Sequence, residues 1–496
     1  MGAAHITSGN LSGEARRIAE KIKASSSVVV ASHIDADGIS AASVASSALE
    51  RAGIKHEVLF LKKLDDEAIR QLSEMAKKSL VWLTDLGSAY ASKFGASNIV
   101  ITDHHELEEH ARGAEEAVQT TLFTYAELAH LNPHFYGYAG ARDISGAGLA
   151  YLVAVEMDEE NQDLVSLPII GAIGDMQDQE ARRLTGLNSG IVDGGVKSGR
   201  IKKSLDLRLF GTETRSLTKL LEYCTDPLLP GLTGNYVGCE EFYRLLKIET
   251  VSAEGQRHWS FLTQAEKHRV LAALSRRILE NGGGDGDVER LTGEIYTFPD
   301  ERMGSPTREA REFATLLNSC GRNDMAELGM RICKGDRGEA LGRALEMLRE
   351  HRGNISNALF FVRDLGITRS GSVQHFHCAD QVKDTIVGAI VGILLGSGEA
   401  DRSLPLVGFA VAKEPSGEFK IKVSARGTYE LVEKGLNLST AVKNAAQAVG
   451  GIGGGHNVAA GATLPLGTED EFLSLLEKNI RAQLGAHCID SSKIAL

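Results

Sequence analysis

Short apolar runs alternate with amphipathic stretches over the first part of the chain. The stretches at 39–49, 65–77 and 145–155 have helical spacing, whereas the apolar run at 168–173 fits either type of element. Four runs are rich in Val, Ile and Leu and predict β-strands, at 28–31, 56–61, 80–83 and 98–101. Strands that alternate with helices in this way predict a parallel sheet flanked by helices.

The pattern changes twice further along. Residues 210–355 show helical patterns such as 264–279 and 308–317, interrupted by a Gly- and Asp-rich tract at 281–287 that predicts a flexible connection. Beyond 357, strands are predicted at 359–362, 406–411 and 419–424, and helices at 385–395 and 440–449. We therefore predict an α/β fold in three parts, which are an N-terminal parallel-sheet domain at 1–205, a helical insertion or connector at 206–356 and a smaller C-terminal α/β domain at 357–496.

Composition excludes several classes of protein. Of the 496 residues, 43% are hydrophobic and 24% are charged, which is typical of globular domains. No apolar run is long enough to span a membrane, and residues 1–27 lack the apolar core of a secretory signal. The cysteines form no C-x-x-C pair, so we expect the protein to be located in the reducing cytoplasm. We also expect no membrane partner. Because the formal net charge is −12, a polyanionic substrate would need local basic patches or bound metal ions.

Acidic and histidine residues gather in four motifs, three of which directly follow predicted strands. The motifs read Ser-His-Ile-Asp-Ala-Asp-Gly, Thr-Asp-Leu-Gly, Thr-Asp-His-His-Glu and Gly-Ala-Ile-Gly-Asp-Met-Gln-Asp. Their candidate residues are His33, Asp35, Asp37, Asp85, Asp103, His104, His105 and Asp175. Because the carboxyl ends of parallel strands meet at one edge of a sheet, side chains from distant motifs can converge there.

Carboxylates crowded at one place repel one another unless cations neutralise them. A mixture of imidazole and carboxylate suits two Mn²⁺ ions, with Mg²⁺ as a substitute, and such a pair can clamp a phosphate and activate a water. Taken singly, each Asp is also explained as a helix cap or a loop residue. Asp37 and Gly38 are also explained as a turn, and the paired histidines as a structural pair. The coincidence of four such motifs favours the metal site.

These motifs resemble, in order, those of the DHH phosphoesterase superfamily. The resemblance implies that His33, Asp35 and Asp85 hold one ion and that Asp37, Asp85, His104 and Asp175 hold the other, with Asp85 bridging. It also implies that Asp103 supports the histidines and that His105 faces the scissile phosphate, both counted here as catalytic. Asp178 is a rival to Asp175. Asn132-Pro133 and Ser145 to Gly148 resemble a loop and helix start of the RecJ-type branch, although a turn and a capped helix would explain them equally.

A glycine tract near the C-terminus is the second candidate site. Gly453, Gly454 and Gly455 precede His456 and Asn457, and such a tract either turns backbone amides toward an anion or is merely flexible. Arg426 favours the first interpretation because a guanidinium binds phosphate oxygens through a planar fork. Together they resemble the substrate-binding domain that accompanies DHH catalytic domains.

The resemblance implies a metal-dependent exonuclease that hydrolyses single-stranded DNA or RNA in DNA repair or replication. One alternative is a phosphodiesterase of short oligonucleotides or cyclic dinucleotides, and another is a replisome scaffold bound to the GINS complex. The middle segment resembles the insertion of archaeal RecJ-like proteins, including the GINS-associated nuclease, so GINS is an expected partner. The basic stretch from Lys197 to Arg208 either lines the approach of a strand or forms a solvated helix face.

Overall fold

The computed structural model describes residues 8–94, 98–107, 128–224, 227, 229–253, 255–413 and 417–491. The chain divides into two compact units, of which the first comprises Met1–Glu222 and Tyr236–Leu348 and the second Tyr223–Asn235 and Arg349–Leu496. The three-part division at 205 and 356 stays a prediction. Among the described residues, no helix is both long and apolar enough to cross a lipid bilayer.

A five-stranded parallel sheet forms the centre of the first unit, in the order β2-β1-β3-β4-β5. Its strands are β1 (Ser27–His33), β2 (Lys55–Leu61), β3 (Leu80–Thr84), β4 (Ile99–Thr102) and β5 (Ala129–Leu131). Alternate residues of β1 and β3 enter two separate hydrophobic cores, so both faces of the sheet are covered. Thr84 and Thr102 are register partners, and the residues that follow them therefore leave the sheet side by side.

Helices surround this sheet and continue beyond it. Those of the N-terminal part are α1 (Ser8–Lys23), α2 (Ala36–Arg51), α3 (Asp66–Met75), α4 (Gly140–Asp143), α5 (Gly146–Met157), α6 (Ser166–Gly174) and α7 (Gly186–Lys197). The later helices are α8 (Leu217–Glu222), α9 (Tyr236–Leu245), α10 (Gln264–Glu280), α11 (Asp285–Glu289), α12 (Ala310–Arg322), α13 (Ala326–Cys333) and α14 (Glu339–Leu365). Two small antiparallel pairs complete the region, which are β6 (Lys202–Leu207) with β9 (Thr292–Thr297) and β7 (Val251–Ser252) with β8 (Gly255–Gln256).

The second unit contains a six-stranded sheet in the order β10-β11-β12-β13-β15-β14. Its strands are β10 (Thr368–Ser370), β11 (Val373–His377), β12 (Leu406–Lys413), β13 (Phe419–Arg426), β14 (Ile452–Gly455) and β15 (Ala459–Pro465). All neighbours are antiparallel except β11 and β12, which are parallel. The helices are α15 (Asp384–Gly396), α16 (Tyr429–Glu433), α17 (Leu438–Ala448) and α18 (Glu469–Ser491).

The predicted fold class, with a parallel N-terminal sheet, a helical region and a smaller C-terminal α/β domain, is confirmed. The ambiguous run at 168–173 is helical and lies in α6. The predicted strand at 359–362 is wrong, because these residues belong to α14, in which Val362 is buried and Phe360 is exposed. A short apolar run has no periodicity that separates a strand from a helix. The tract predicted as flexible ends in α11, and residues 202–207 of the basic stretch form β6 rather than a helix face.

Candidate metal centre

The junction between β1 and α2 presents the first three acidic-motif side chains. Asp35 caps α2 by accepting a hydrogen bond from the Gly38 amide at 3.0 Å, and its other oxygen lies 2.8 Å from His33 Nδ1. Asp37 lies two residues further on, is fully buried and accepts hydrogen bonds from the Gly146 and Ala147 amides at 2.6 and 3.0 Å. These two amides belong to the first turn of α5, where the helix dipole favours a negative charge. Burial nevertheless raises the pKa of Asp37 to about 6.

Asp85 directly follows β3 and has a left-handed backbone conformation, with φ of +59°. Its side chain is buried, and neither carboxylate oxygen has a hydrogen-bond partner among the described residues. Burial, followed by the nearby charge of Asp37, raises the pKa of Asp85 well above its usual value. A Cβ at Gly146 would lie 2.6 Å from the Asp85 Cβ, so only glycine permits α5 to approach this closely. A buried carboxylate is costly without a counter-ion, which a bound cation or a protonated His104, whose Nε2 lies 3.2 Å from Asp85, would supply.

His104 and His105 follow β4 and are oriented by different partners. The Nδ1 of His104 donates to the Gly140 carbonyl at 2.8 Å, which leaves Nε2 3.2 Å from Asp85 and 3.1 Å from Asp175. Although burial by itself lowers the pKa of His104, the carboxylates of Asp175 and Asp85 raise it well above its usual value. His105 is largely exposed. In this arrangement Nε2 of His104 is directed at the carboxylates.

Asp103 is in direct contact with His105. Its Oδ1 lies 2.8 Å from His105 Nδ1, and its Oδ2 accepts a hydrogen bond from the Ser88 amide at 2.8 Å. Burial by itself raises the pKa of Asp103, but the contact with His105, the nearby charge of His104 and the hydrogen bond from Ser88 outweigh it and hold this pKa well below its usual value. The Gly140 carbonyl holds Nδ1 of His104, and the role of Asp103 in supporting both histidines stays a prediction.

Asp175 ends α6 and points to the same place, whereas its rival does not. Asp178 is buried between two guanidinium groups, 2.7 Å from Arg208 and 2.5 Å from Arg311, and already has its counter-ions. Arg208 is thereby committed to an internal ion pair and is not part of a solvated face. The geometry thus favours Asp175 as the fourth acidic ligand.

The structure brings the predicted donors together at the carboxyl edge of the parallel sheet. Three overlapping groups have one donor atom per residue within 4.8 Å of one another, and these groups are His33–Asp35–Asp85, Asp37–Asp85–His104–Asp175 and Asp85–His104–His105. Asp85 is common to all three groups. The donors fit two divalent cations, since they combine imidazole and carboxylate groups and leave the oxygens of Asp85 otherwise unpartnered. The side chains of His33 and Asp175 remain partly exposed, so the cluster is open to a ligand.

Sequence reasoning missed the residues that hold His104 from behind. The amide of Gln177 donates to the Gly140 carbonyl at 2.9 Å and to the Ile144 carbonyl at 3.2 Å. Asn188 in turn donates to Gln177 Oε1 at 2.7 Å, and both side chains are buried. Gln177 lies within the Gly-Asp-Met-Gln-Asp motif, but an amide side chain carries no metal signal in a sequence.

The predicted glycine site lies wholly in the second unit. Gly455 has φ of +145° and a Cβ there would lie 2.6 Å from the Ala459 carbonyl, whereas a Cβ at Gly454 would meet open space. His456 and Asn457 are exposed at the turn between β14 and β15 and line a cavity of about 410 Å³ with Asn437, Ser439 and Thr440. Arg426 ends β13, where its Nε donates to the Gly388 carbonyl at 3.2 Å.

Three segments of the chain match described domains. Residues 27–172 match the DHH family N-terminal domain, residues 209–292 the DHH-CID domain and residues 370–482 the DHHA1 domain. An uncharacterised protein of Methanocaldococcus jannaschii is 28% identical over 459 residues, which cover 92% of this chain and 93% of that protein.

Two solved structures share the fold. RecJ of Thermus thermophilus in complex with Mn²⁺ has a TM-score of 0.52 at 14% identity, covering 95% of this chain and 55% of that one. The chain thus spans about half the length of that RecJ. CDC45 of Entamoeba histolytica has a TM-score of 0.58 at 11% identity, covering 95% of this chain and 97% of that one.

Proposed function

The matched domains make this chain a member of the DHH superfamily with a RecJ-like fold, and on that premise we propose that it is a metal-dependent exonuclease acting on single-stranded nucleic acid. The observation that carries the proposal is Asp85, whose two buried oxygens lack hydrogen-bond partners among the described residues and face donors from three other motifs. In the proposal, His33, Asp35 and Asp85 hold one cation, and Asp37, Asp85, His104 and Asp175 hold the other.

Manganese is the proposed metal, with magnesium as a substitute, and the RecJ structure with the same fold contains Mn²⁺. When bound, two such cations neutralise the phosphate and lower the pKa of the attacking water. A water oxygen would form a bond to phosphorus as the bond to the leaving sugar oxygen breaks, and the proton that the water gives up would end on that leaving oxygen. His105, held at Nδ1 by Asp103, presents Nε2 to the phosphate, where it donates a hydrogen bond as charge develops.

We propose that the C-terminal glycine site binds phosphates of the strand. In the proposal, those amides of Gly453, Gly454 and Gly455 that the ladder between β14 and β15 leaves unpaired face the phosphates, and Arg426, His456 and Asn457 add side-chain donors. The open space above Gly454 and the polar cavity beside His456 leave room for a phosphate group. These contacts read the backbone rather than the bases, which is typical of sequence-independent binding.

Single strands labelled separately at either end, as DNA and as RNA, test the proposal with Mn²⁺ or Mg²⁺. We expect shortening of the strands with Mn²⁺, none after chelation, and the best recovery when Mn²⁺ is restored. Recovery with zinc alone would contradict the choice of metal. Comparing strands of two and about thirty nucleotides separates an exonuclease from the alternative of a short-oligonucleotide or cyclic-dinucleotide phosphodiesterase.

Asp85→Asn is the sharpest variant for this assay. Asparagine tolerates the left-handed backbone and removes a buried charge, so the metal-free fold should be preserved. The loss of a ligand shared by both cations removes several kcal/mol of transition-state stabilisation, which is about a thousandfold in rate. Asp193→Asn, on the exposed side of α7, is the matched control and should keep full activity. Equal rates for the two variants would refute the bridging role.

A replication scaffold without hydrolysis is the second candidate, and the fold shared with CDC45 favours it. The full set of metal-binding side chains argues for catalysis instead. The absence of hydrolysis in the assay above, together with co-elution with purified GINS subunits, would support the scaffold. Co-elution with full hydrolysis would support a nuclease that also binds the GINS complex.

A further inference from the structure

Helix α12 packs against two acidic segments, which are residues 34–37 at the start of α2 and residues 174–178 at the end of α6. The helix lies outside the matched domains, since none of them covers residues 293–369. It is strongly amphipathic, with Phe313, Leu316 and Leu317 buried in the same core as the residues of α2 and α6. Its polar residues are therefore the ones that need an explanation. Two of them reach the acidic segments directly.

The first contact is with the segment between Asp35 and Asp37. The side-chain oxygen of Asn318 accepts a hydrogen bond from the Ala36 amide at 2.9 Å. One turn further along the helix, a Cβ at Gly321 would lie 1.8 Å from the Ile34 carbonyl, so the helix approaches this backbone as closely as glycine allows. The Ala36 amide is one of the donors at the start of α2 that the helix itself leaves unpaired.

The second contact is with the segment that follows Asp175. Arg311 donates to Asp178 at 2.5 Å, and Asp178 is fully buried three residues beyond Asp175. A Cβ at Gly174 would lie 3.7 Å from the Ala314 side chain and 2.7 Å from that of Ala36. Helix α12 therefore touches both segments at neighbouring points.

The start of the helix is tied to the region that matches the DHH-CID domain. The Glu312 carboxylate accepts hydrogen bonds from the Glu213 amide, at 2.7 Å, and from the Thr214 hydroxyl. Glu309 caps the helix by accepting hydrogen bonds from the Arg311 and Glu312 amides at 3.0 and 3.1 Å. Hydrogen bonds thus anchor the first turn of α12, and Arg311 and Asn318 on the same helix contact the acidic segments.

We infer that α12 positions both acidic segments for metal binding, with Asn318 and Arg311 as positioning residues. This inference rests on the proposed function only in taking the acidic cluster as a metal site. The physical reason is that the carboxylates of Asp35, Asp37 and Asp175 repel one another without a cation, so the segments that carry them separate unless something holds them. Groups that orient metal ligands from behind change metal affinity by about 10–100-fold when they are removed.

The experiment compares Asn318→Ala with Thr315→Ala, a control on the exposed side of the same helix. Mn²⁺ affinity is measured by calorimetry on the full chain, and hydrogen exchange of the Ala36 amide is followed in the metal-free protein. For Asn318→Ala we expect at least about tenfold weaker Mn²⁺ binding and faster exchange at Ala36. Asn318→Asp, which keeps the acceptor oxygen, should restore both quantities.

Arg311→Gln tests the other segment and should fold, because Asp178 keeps its contact with Arg208. We expect weaker Mn²⁺ binding than in Thr315→Ala here too. If Asn318→Ala and Arg311→Gln both bind Mn²⁺ within twofold of Thr315→Ala, the inference is overturned. A wild-type chain that binds Mn²⁺ but hydrolyses nothing overturns the proposed function alone, since affinity and exchange still support the positioning role. A wild-type chain that binds no Mn²⁺ overturns both.

Discussion

Gly171→Ala tests how tightly the acidic cluster is packed. Gly171 lies in the interior of α6, where alanine is normally the better helix former by about 1 kcal/mol. Its Cβ, however, would lie 2.1 Å from Asp37 Oδ1 and 2.8 Å from the Ala147 Cβ. Helix propensity and packing therefore predict opposite signs for the same substitution.

The packing term should dominate. Asp37 is fully buried and accepts hydrogen bonds from the Gly146 and Ala147 amides, so moving its carboxylate by about 1 Å weakens both. Hydrogen bonds to a charged group contribute about 1.5–3 kcal/mol each, and the loss of one exceeds the gain in propensity. The expected net change is a loss on the order of 1–2 kcal/mol in the free energy of unfolding.

Urea denaturation of the metal-free chain at pH 8, where the Asp37 carboxyl is ionised, measures this loss. Gly190→Ala is the matched control, because a Cβ at this exposed position of α7 meets nothing within 4 Å and should stabilise the helix by about 0.5–1 kcal/mol. Mn²⁺ affinity should fall in Gly171→Ala only. If both variants are equally stable and bind Mn²⁺ equally, the packing of Asp37 against α6 is refuted.

Two further predictions concern pH and the division of roles. Burial raises the pKa of Glu312 to about 7, so the folded chain keeps a proton that the unfolded chain releases near pH 4. The free energy of unfolding should therefore fall as pH rises from about 4.5 to 7, by up to about 3 kcal/mol, and denaturation of Glu312→Gln should show a flatter profile. For His456→Ala and Arg426→Ala we expect a higher KM for single strands with unchanged Mn²⁺ affinity in calorimetry. Equal losses of substrate and metal binding would contradict separate roles for the two sites.

Much of the fold was predictable because its signals are local. The strands of the first sheet are short apolar runs rich in branched residues, and their alternation with helices allows only a parallel arrangement. The error at 359–362 has the same origin, since four apolar residues carry no usable periodicity and only the surrounding 27-residue helix α14 decides their conformation.

The candidate site was predictable as a set of residue types but not as a geometry. Acidic residues at the ends of parallel strands must share one edge, so the convergence of Asp85 with His104 follows from topology. The choice between Asp175 and Asp178 did not, because it depends on two arginines that lie 30 and 133 residues beyond Asp178.

By itself, the sequence determined which side chains this protein brings to the edge of its sheet, since strand order and side-chain type are written in local patterns. Only the tertiary structure decided what holds them there. Asn318 meets Ala36 across 282 residues, and Gln177 fixes His104 through a backbone carbonyl. Contacts of this kind depend on how helices pack rather than on periodicity. Amide side chains and backbone carbonyls occur throughout a chain, and nothing in the sequence indicates which of them will meet in the folded protein.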